Sequence, residues 1–177
     1  MTEGIPNEIL SQILYHVLTI PAAFFEAWST PYTFAATPPS TAPSILCVSS
    51  RWYALGVPAL YEAAVFNTGV QCDGYLRALG SAGPHGGAGD VWRGWYLRRL
   101  RVHGGYSRLA RVLRAARGVE VLFLSGEPPW QESVRGLTRA LRGISPVRLV
   151  LECVWPGGDL FNAIRAGVKC WMRLVRG

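Results

Sequence analysis

Leu97-Arg98-Arg99-Leu100-Arg101-Val102-His103-Gly104 and Val119-Glu120-Val121-Leu122-Phe123-Leu124-Ser125-Gly126 superimpose at a spacing of 22 residues. Both carry apolar residues at the same three positions and close on glycine, the pattern of a short strand that leaves through a turn. A stretch of helical period follows each. After the first strand, Tyr106, Leu109, Leu113 and Ala116 fall on one side of a helix, with Arg108, Arg111, Arg114 and Arg117 mostly on the other. After the second, Val134, Leu137 and Leu141 oppose Arg135, Arg139 and Arg142. A third strand is expected from Val147 to Cys153, about 27 residues further on. Upstream, Ala64-Val65-Phe66 reads as a strand, and Asp73 as the cap of a helix running through Leu79.

A strand-helix unit of about 20 to 29 residues cannot bury its apolar face alone and must stack on its neighbours. The expected fold over residues 63–177 is therefore a short α/β, leucine-rich-repeat-like array of parallel strands with flanking helices. Its concave face would be formed by alternate strand residues, of which Arg99, Arg101, Glu120 and Phe123 are the candidate substrate surface. The glycine-rich run Gly80 to Asp90 contains neither G-x-x-x-x-G-K-[ST] nor a complete G-x-G-x-x-G behind a strand, and reads as a flexible insertion. The segment Leu160 to Val175 reads as a helix ending without a polar cap, as a truncated member of a longer architecture would.

The texture before residue 63 is different. In Ile5 to Leu18, apolar pairs at 9/10, 13/14 and 17/18 recur every four residues, which makes a broad apolar stripe along a helix. Pro6 suits its first turn, Glu8 the positive end of its dipole, and Pro21 ends it. Residues 20–43 hold a Pro/Ser/Thr-rich tract with room for one helical turn near Phe24 to Trp28. A second helix is expected from Ser44, as N-cap, to Leu55, with Gly56 as its stop, and a short third from Pro58.

Two blocks here, Ile5-Pro6-x-Glu8-Ile9-Leu10-x-x-Ile13-Leu14 and Ile45-Leu46-Cys47-Val48-Ser49-Ser50-Arg51-Trp52-Tyr53-x-Leu55-Gly56-x-Pro58-x-Leu60-Tyr61-Glu62, resemble an F-box. The form is similar to that of mushroom-forming (basidiomycete) fungi, in which leucine-rich-like repeats follow the F-box. The long insertion at 20–43 departs from that pattern. The resemblance implies an α-helical F-box module over residues 1–62 and a non-catalytic role. Such a module docks on the adaptor subunit of a cullin-RING (SCF-type) ubiquitin ligase, while the repeats hold a protein substrate. By position it implies that Ile5, Pro6, Ile9, Ile13, Leu14, Cys47, Val48, Arg51 and Trp52 form the partner face. Leu10, Leu18 and Leu55 are expected in the module's own core, whereas Trp52 divides between core and partner. With Lys169 as the sole lysine, self-ubiquitination is expected to be limited.

Composition bounds the alternatives. The 177 residues are 50% hydrophobic and 16% charged, which excludes whole-chain disorder. The longest apolar stretch, Val17 to Phe25, is broken by Thr19 and Pro21, so no membrane-spanning helix is expected. The opening lacks a basic region followed by an apolar one, which places the expected location in cytoplasm or nucleus. Cys47, Cys72, Cys153 and Cys170 show no Cys-x-x-Cys spacing and read as reduced, mostly buried thiols. His16, His85 and His103 have no second ligand at metal spacing, and no nucleophile elbow is present. Neither metal nor cofactor is therefore expected.

Charge is uneven. Residues 1–92 carry two arginines against six acids, whereas residues 93–177 carry sixteen basic residues against five acids. The rival function is accordingly a non-catalytic repeat scaffold whose arginine-rich face binds an acidic protein or a nucleic acid, with Trp92, Trp95, Tyr96 and Tyr106 near for stacking. Arginines opposite an apolar helix stripe are ordinarily solvated charge, so an acidic protein ranks behind that bland role and nucleic acid last.

Overall fold

A computed structural model of the chain describes residues 4–26, 42–80, 93–104, 106, 108–125, 134–152, 161–162 and 164–167. Most of the Pro/Ser/Thr tract, nearly all of the glycine-rich run, His85, Trp92, Cys153, Lys169 and Cys170 lie outside these residues. Residues 161–162 and 164–167 of the expected last helix are helical. The chain divides into two compact units, Met1–Ala63 and Ala64–Gly177.

The first unit is built from helices α1 (Asn7–Leu18), α2 (Ala22–Glu26), α3 (Ala42–Leu46) and α4 (Ser50–Tyr61). Pro6 opens α1, and Thr19 closes it: its amide and hydroxyl both donate to the Tyr15 carbonyl, at 3.0 and 2.6 Å. Of each apolar pair on α1 only the second member is buried. Leu10, Leu14 and Leu18 pack with Leu46 and Ala59, and Trp52, Tyr53 and Leu55 flank that core. Near the start of α4, Arg51 reaches the opening of α1, and at its end Glu62 accepts from Tyr15 at 3.4 Å. The two helices thus run side by side in the same direction.

The second block departs from the expected helix boundaries. Ser44 lies inside the short α3, and α4 is capped instead by Ser49, whose Oγ accepts from the Trp52 amide at 3.2 Å. Nor does Gly56 stop the helix. It lies buried within α4, where a β-carbon would come within 2.9 Å of Leu18 Cδ1 and 2.4 Å of Leu46 Cδ2. Glycine serves here to let the helices close. Pro58 sits inside the same helix, which gives up one amide donor without breaking.

The second unit contains β1 (Ala63–Phe66, its first residue belonging to the preceding unit), α5 (Gly69–Gly80), α6 (Arg93–Tyr96), β2 (Arg99–Val102), α7 (Leu109–Ala115), β3 (Val121–Ser125), α8 (Val134–Leu141) and β4 (Arg148–Glu152). The strands form a four-stranded sheet in the order β1-β2-β3-β4, with β2, β3 and β4 paired in parallel. Leu100 lies opposite Leu122, and Leu122 opposite Leu149, so the spacings of 22 and 27 residues are the register of the sheet. Gly104, at a φ of 138°, turns the chain out of β2 in a conformation that suits glycine.

Helix α5 begins earlier than the Asp73 cap expected from sequence. Gln71 Oε1 accepts from the amides of Asn67 and Thr68, and Thr68 Oγ1 accepts from the amide of Gln71, at 2.7, 3.1 and 3.3 Å. This reciprocal box fixes the start. Leu97, Leu100, Val102, Val119, Leu122 and Leu124 pack with Leu109, Val112, Leu113, Leu137 and Leu141 in one core on the helix side of the sheet.

Candidate functional site

The helical unit presents a surface that its own core does not account for. On α1, Ile9, Ile13 and Val17 form a row at four-residue spacing, and Ile5 continues it beyond Pro6. Their exposures are 48%, 44%, 53% and 48% respectively. The row lies one residue, about 100°, around the helix from Leu10, Leu14 and Leu18. The core covers one apolar face of α1 and leaves a second facing solvent.

The turn that opens α4 adds to this surface. Cys47 and Val48 are exposed, Val48 at 61%. Arg51, itself exposed, donates from Nε to Asn7 Oδ1 at 2.8 Å and from Nη2 to the Ile5 carbonyl. Its role in this geometry is to hold Ile5 and Pro6 at the head of α1.

One of the nine expected partner residues is placed differently. Leu14 is fully buried, because its position on α1 faces α4 across the Gly56 gap, so it belongs to the core. Trp52 is half-buried and packs against that core. Sequence reasoning missed Val17, although the same four-residue step leads to it.

On the sheet, the face away from the helices carries Arg99, Val121 and Arg148 in one row and Arg101, Phe123 and Val150 in the next, followed by Ser125 and Glu152. The guanidinium carbons of Arg101 and Arg148 each lie 5.7 Å from the centroid of the Phe123 ring. Arg101 Nη2 lies 3.8 Å from Glu152 Oε2 and the Arg101 side chain is only 3% exposed, so this cation-aromatic-carboxylate group is interior structure rather than open surface. Phe123 is buried with it, while Arg99 is half-buried and Arg148 exposed.

Glu120 does not join the other three candidates. It precedes β3, on the opposite alternation from Phe123, and pairs with Arg98 at 3.2 Å. Adding 22 to 99 and 101 gives 121 and 123, so the repeat spacing itself excludes Glu120 from this face. Among the described residues, the acid on this face is Glu152.

Among the described residues no group of three or more His, Cys, Asp or Glu is placed to hold a metal ion. No helix among them is long and apolar enough to cross a membrane. Comparison with family models, with curated proteins and with solved structures finds no match to this chain.

Proposed function

We propose that the chain is a non-catalytic, substrate-recruiting adaptor of the F-box kind. Its helical unit docks on the adaptor subunit of a cullin-RING ubiquitin ligase in cytoplasm or nucleus, and its leucine-rich-repeat-like sheet unit holds the substrate. The observation that carries this proposal is the exposed row Ile5, Ile9, Ile13 and Val17. A helix whose remaining face met only water would carry polar residues there, whereas a row of large aliphatic side chains beside a packed core suits a partner's groove. The F-box resemblance supplies the identity of that partner.

Arg51 supports the same function by a route the sequence does not reveal. An extended Ile5-Pro6 segment ahead of a helix would sample many conformations, and ordering it on binding would cost affinity. Bonds to Asn7 and the Ile5 carbonyl hold it in place before any partner arrives. On the sheet unit, Arg99 and Arg148, at the open side of the Phe123 group, are the residues proposed to touch substrate.

The test is direct binding of the full chain to the purified ligase adaptor subunit, comparing the parent with Ile9→Asp/Ile13→Asp. Both positions point to solvent, so a loss of binding by this variant reports the surface rather than the fold. A parent that stays unbound at high micromolar adaptor concentration overturns the proposal.

A further inference from the structure

The outward side of α7 and α8 has no part in the adaptor proposal. The two helices pack side by side on the core face of the sheet, burying Leu109, Val112 and Leu113 from one and Leu137, Ala140 and Leu141 from the other. Arg108, Arg111, Arg114, Arg117, Arg135, Arg139 and Arg142 are consequently exposed. Residues 108–119 and 134–147 contain these seven arginines and no aspartate or glutamate. Arg108 is paired with Asp73 on α5 at 3.4 Å. Among the described residues, no ion pair engages the other six.

A surface of like charges on adjacent helices is self-repelling, because exposed charges closer than about 8 Å are poorly screened at physiological salt. Polyvalent anions relieve this repulsion. Charge alone suits an acidic protein as well as a nucleic acid, and α6 adds aromatic rings on which unpaired bases can stack. That helix lies against the end of α7 so closely that a β-carbon on Gly94 would fall 2.5 Å from the Ala115 carbonyl oxygen. The Trp95 carbonyl oxygen lies 3.1 Å from where Gly118 would carry a β-carbon. Trp95 and Tyr96 are 54% and 40% exposed. The backbone of the helix that carries these two exposed aromatic residues therefore abuts the turn that bears Arg117.

We infer that this face binds single-stranded nucleic acid, with the arginines of α7 and α8 on the phosphodiester backbone and Trp95 and Tyr96 stacking on unpaired bases. Guanidinium groups suit phosphate because they donate in a planar fork, and aromatic rings accept any base without demanding a sequence. From sequence alone, solvated charge is the expected role of these arginines; the placement of Trp95 and Tyr96 against the end of α7 alters that ranking. The site lies in the sheet unit and is independent of the docking row on α1.

Fluorescence anisotropy of labelled twenty-nucleotide oligo-U and oligo-dT with the full chain tests the inference. Binding is expected to weaken steeply as salt rises from about 50 to about 200 mM, because neutralised phosphates release counterions. Arg111→Ser/Arg114→Ser/Arg139→Ser should weaken binding at least about tenfold and reduce the logarithmic salt slope by about two. Trp95→Ala should cost about fivefold or more at fixed salt and leave the slope unchanged. All four side chains are exposed, and circular dichroism checks that the variants remain folded. Absence of binding to either oligonucleotide at the lower salt overturns the inference. So does equal displacement by polyglutamate with no effect of Trp95→Ala, which would identify an acidic-protein surface instead.

Discussion

Gly56 of α4 and Leu46 of α3 approach so closely that a β-carbon on the glycine would lie 2.4 Å from Leu46 Cδ2. Intrinsic propensity favours alanine over glycine inside a helix by about 1 kcal/mol. Packing outweighs it here, since Leu46 and Leu18 are both buried and would have to move together. Gly56→Ala is expected to destabilise the first unit by about 1–3 kcal/mol, read by urea denaturation. A neutral or stabilising result would show that the helices have slack at this crossing.

Burial pushes the Tyr106 phenol above its ordinary value of 10.0, and neighbouring Cys72 adds in the same direction. A group whose folded value is raised contributes stability that is complete below its unfolded value and is lost as pH rises through the folded one. Its hydroxyl also donates to the His103 carbonyl at 2.8 Å. Tyr106→Phe should therefore be less stable than the parent by about 0.5–1.5 kcal/mol at pH 8. The difference should shrink as pH rises above 10. A gap that stays constant to pH 11 would contradict the raised value.

The two acids near the sheet should differ sharply in their effect. Glu120 pairs with Arg98 at the surface, where such a pair contributes at most about 1 kcal/mol. Glu152 faces Arg101, whose burial leaves its charge poorly solvated. Glu152→Gln is expected to cost about 1–3 kcal/mol and Glu120→Gln little, and comparison of the two thermal midpoints checks the order. For the same reason, reversing the charge of Arg101 would disturb the fold before it reported on substrate, so Arg99→Glu/Arg148→Glu is the informative pair for substrate capture.

Cys47 is exposed and Cys72 fully buried, and neither is in a disulfide. Under native conditions a thiol reagent should modify Cys47 within minutes and Cys72 only after unfolding. Mass spectrometry of digested, labelled chain locates the modification, and native-state labelling of Cys72 would mean that the Tyr106 region opens readily.

The sheet was legible because its repeat is arithmetical: Leu100, Leu122 and Leu149 announce each other through spacing, and the helices between them through the alternation of leucine with arginine. Helix ends were less so. Ser44 suits an N-cap by residue type, but it lies inside α3, and Ser49 caps α4 through the Trp52 amide. Gly56 resembles a stop signal because glycine ends helices more often than it lets them close. Two signals do lie in the sequence, the Thr68-x-x-Gln71 box at the start of α5 and the 22-residue arithmetic that separates Glu120 from Phe123. On α1 the resemblance assigns Leu10 and Leu18 to the core and Ile9 and Ile13 to the partner face, whereas the packing of α1 on α4 takes Leu14 into the core as well and leaves Ile9, Ile13 and Val17 exposed.

The exposed row Ile5, Ile9, Ile13 and Val17 is the proposed docking surface. Isothermal titration of the full chain with the purified cullin-RING adaptor subunit measures it most directly, using the parent and Ile9→Asp/Ile13→Asp at equal, verified foldedness. Saturable one-to-one binding is expected from the parent and a loss of at least about tenfold from the variant, as for removal of anchor side chains from an interface centre. Equal affinity of parent and variant, or no heat of binding from a folded parent, would contradict it.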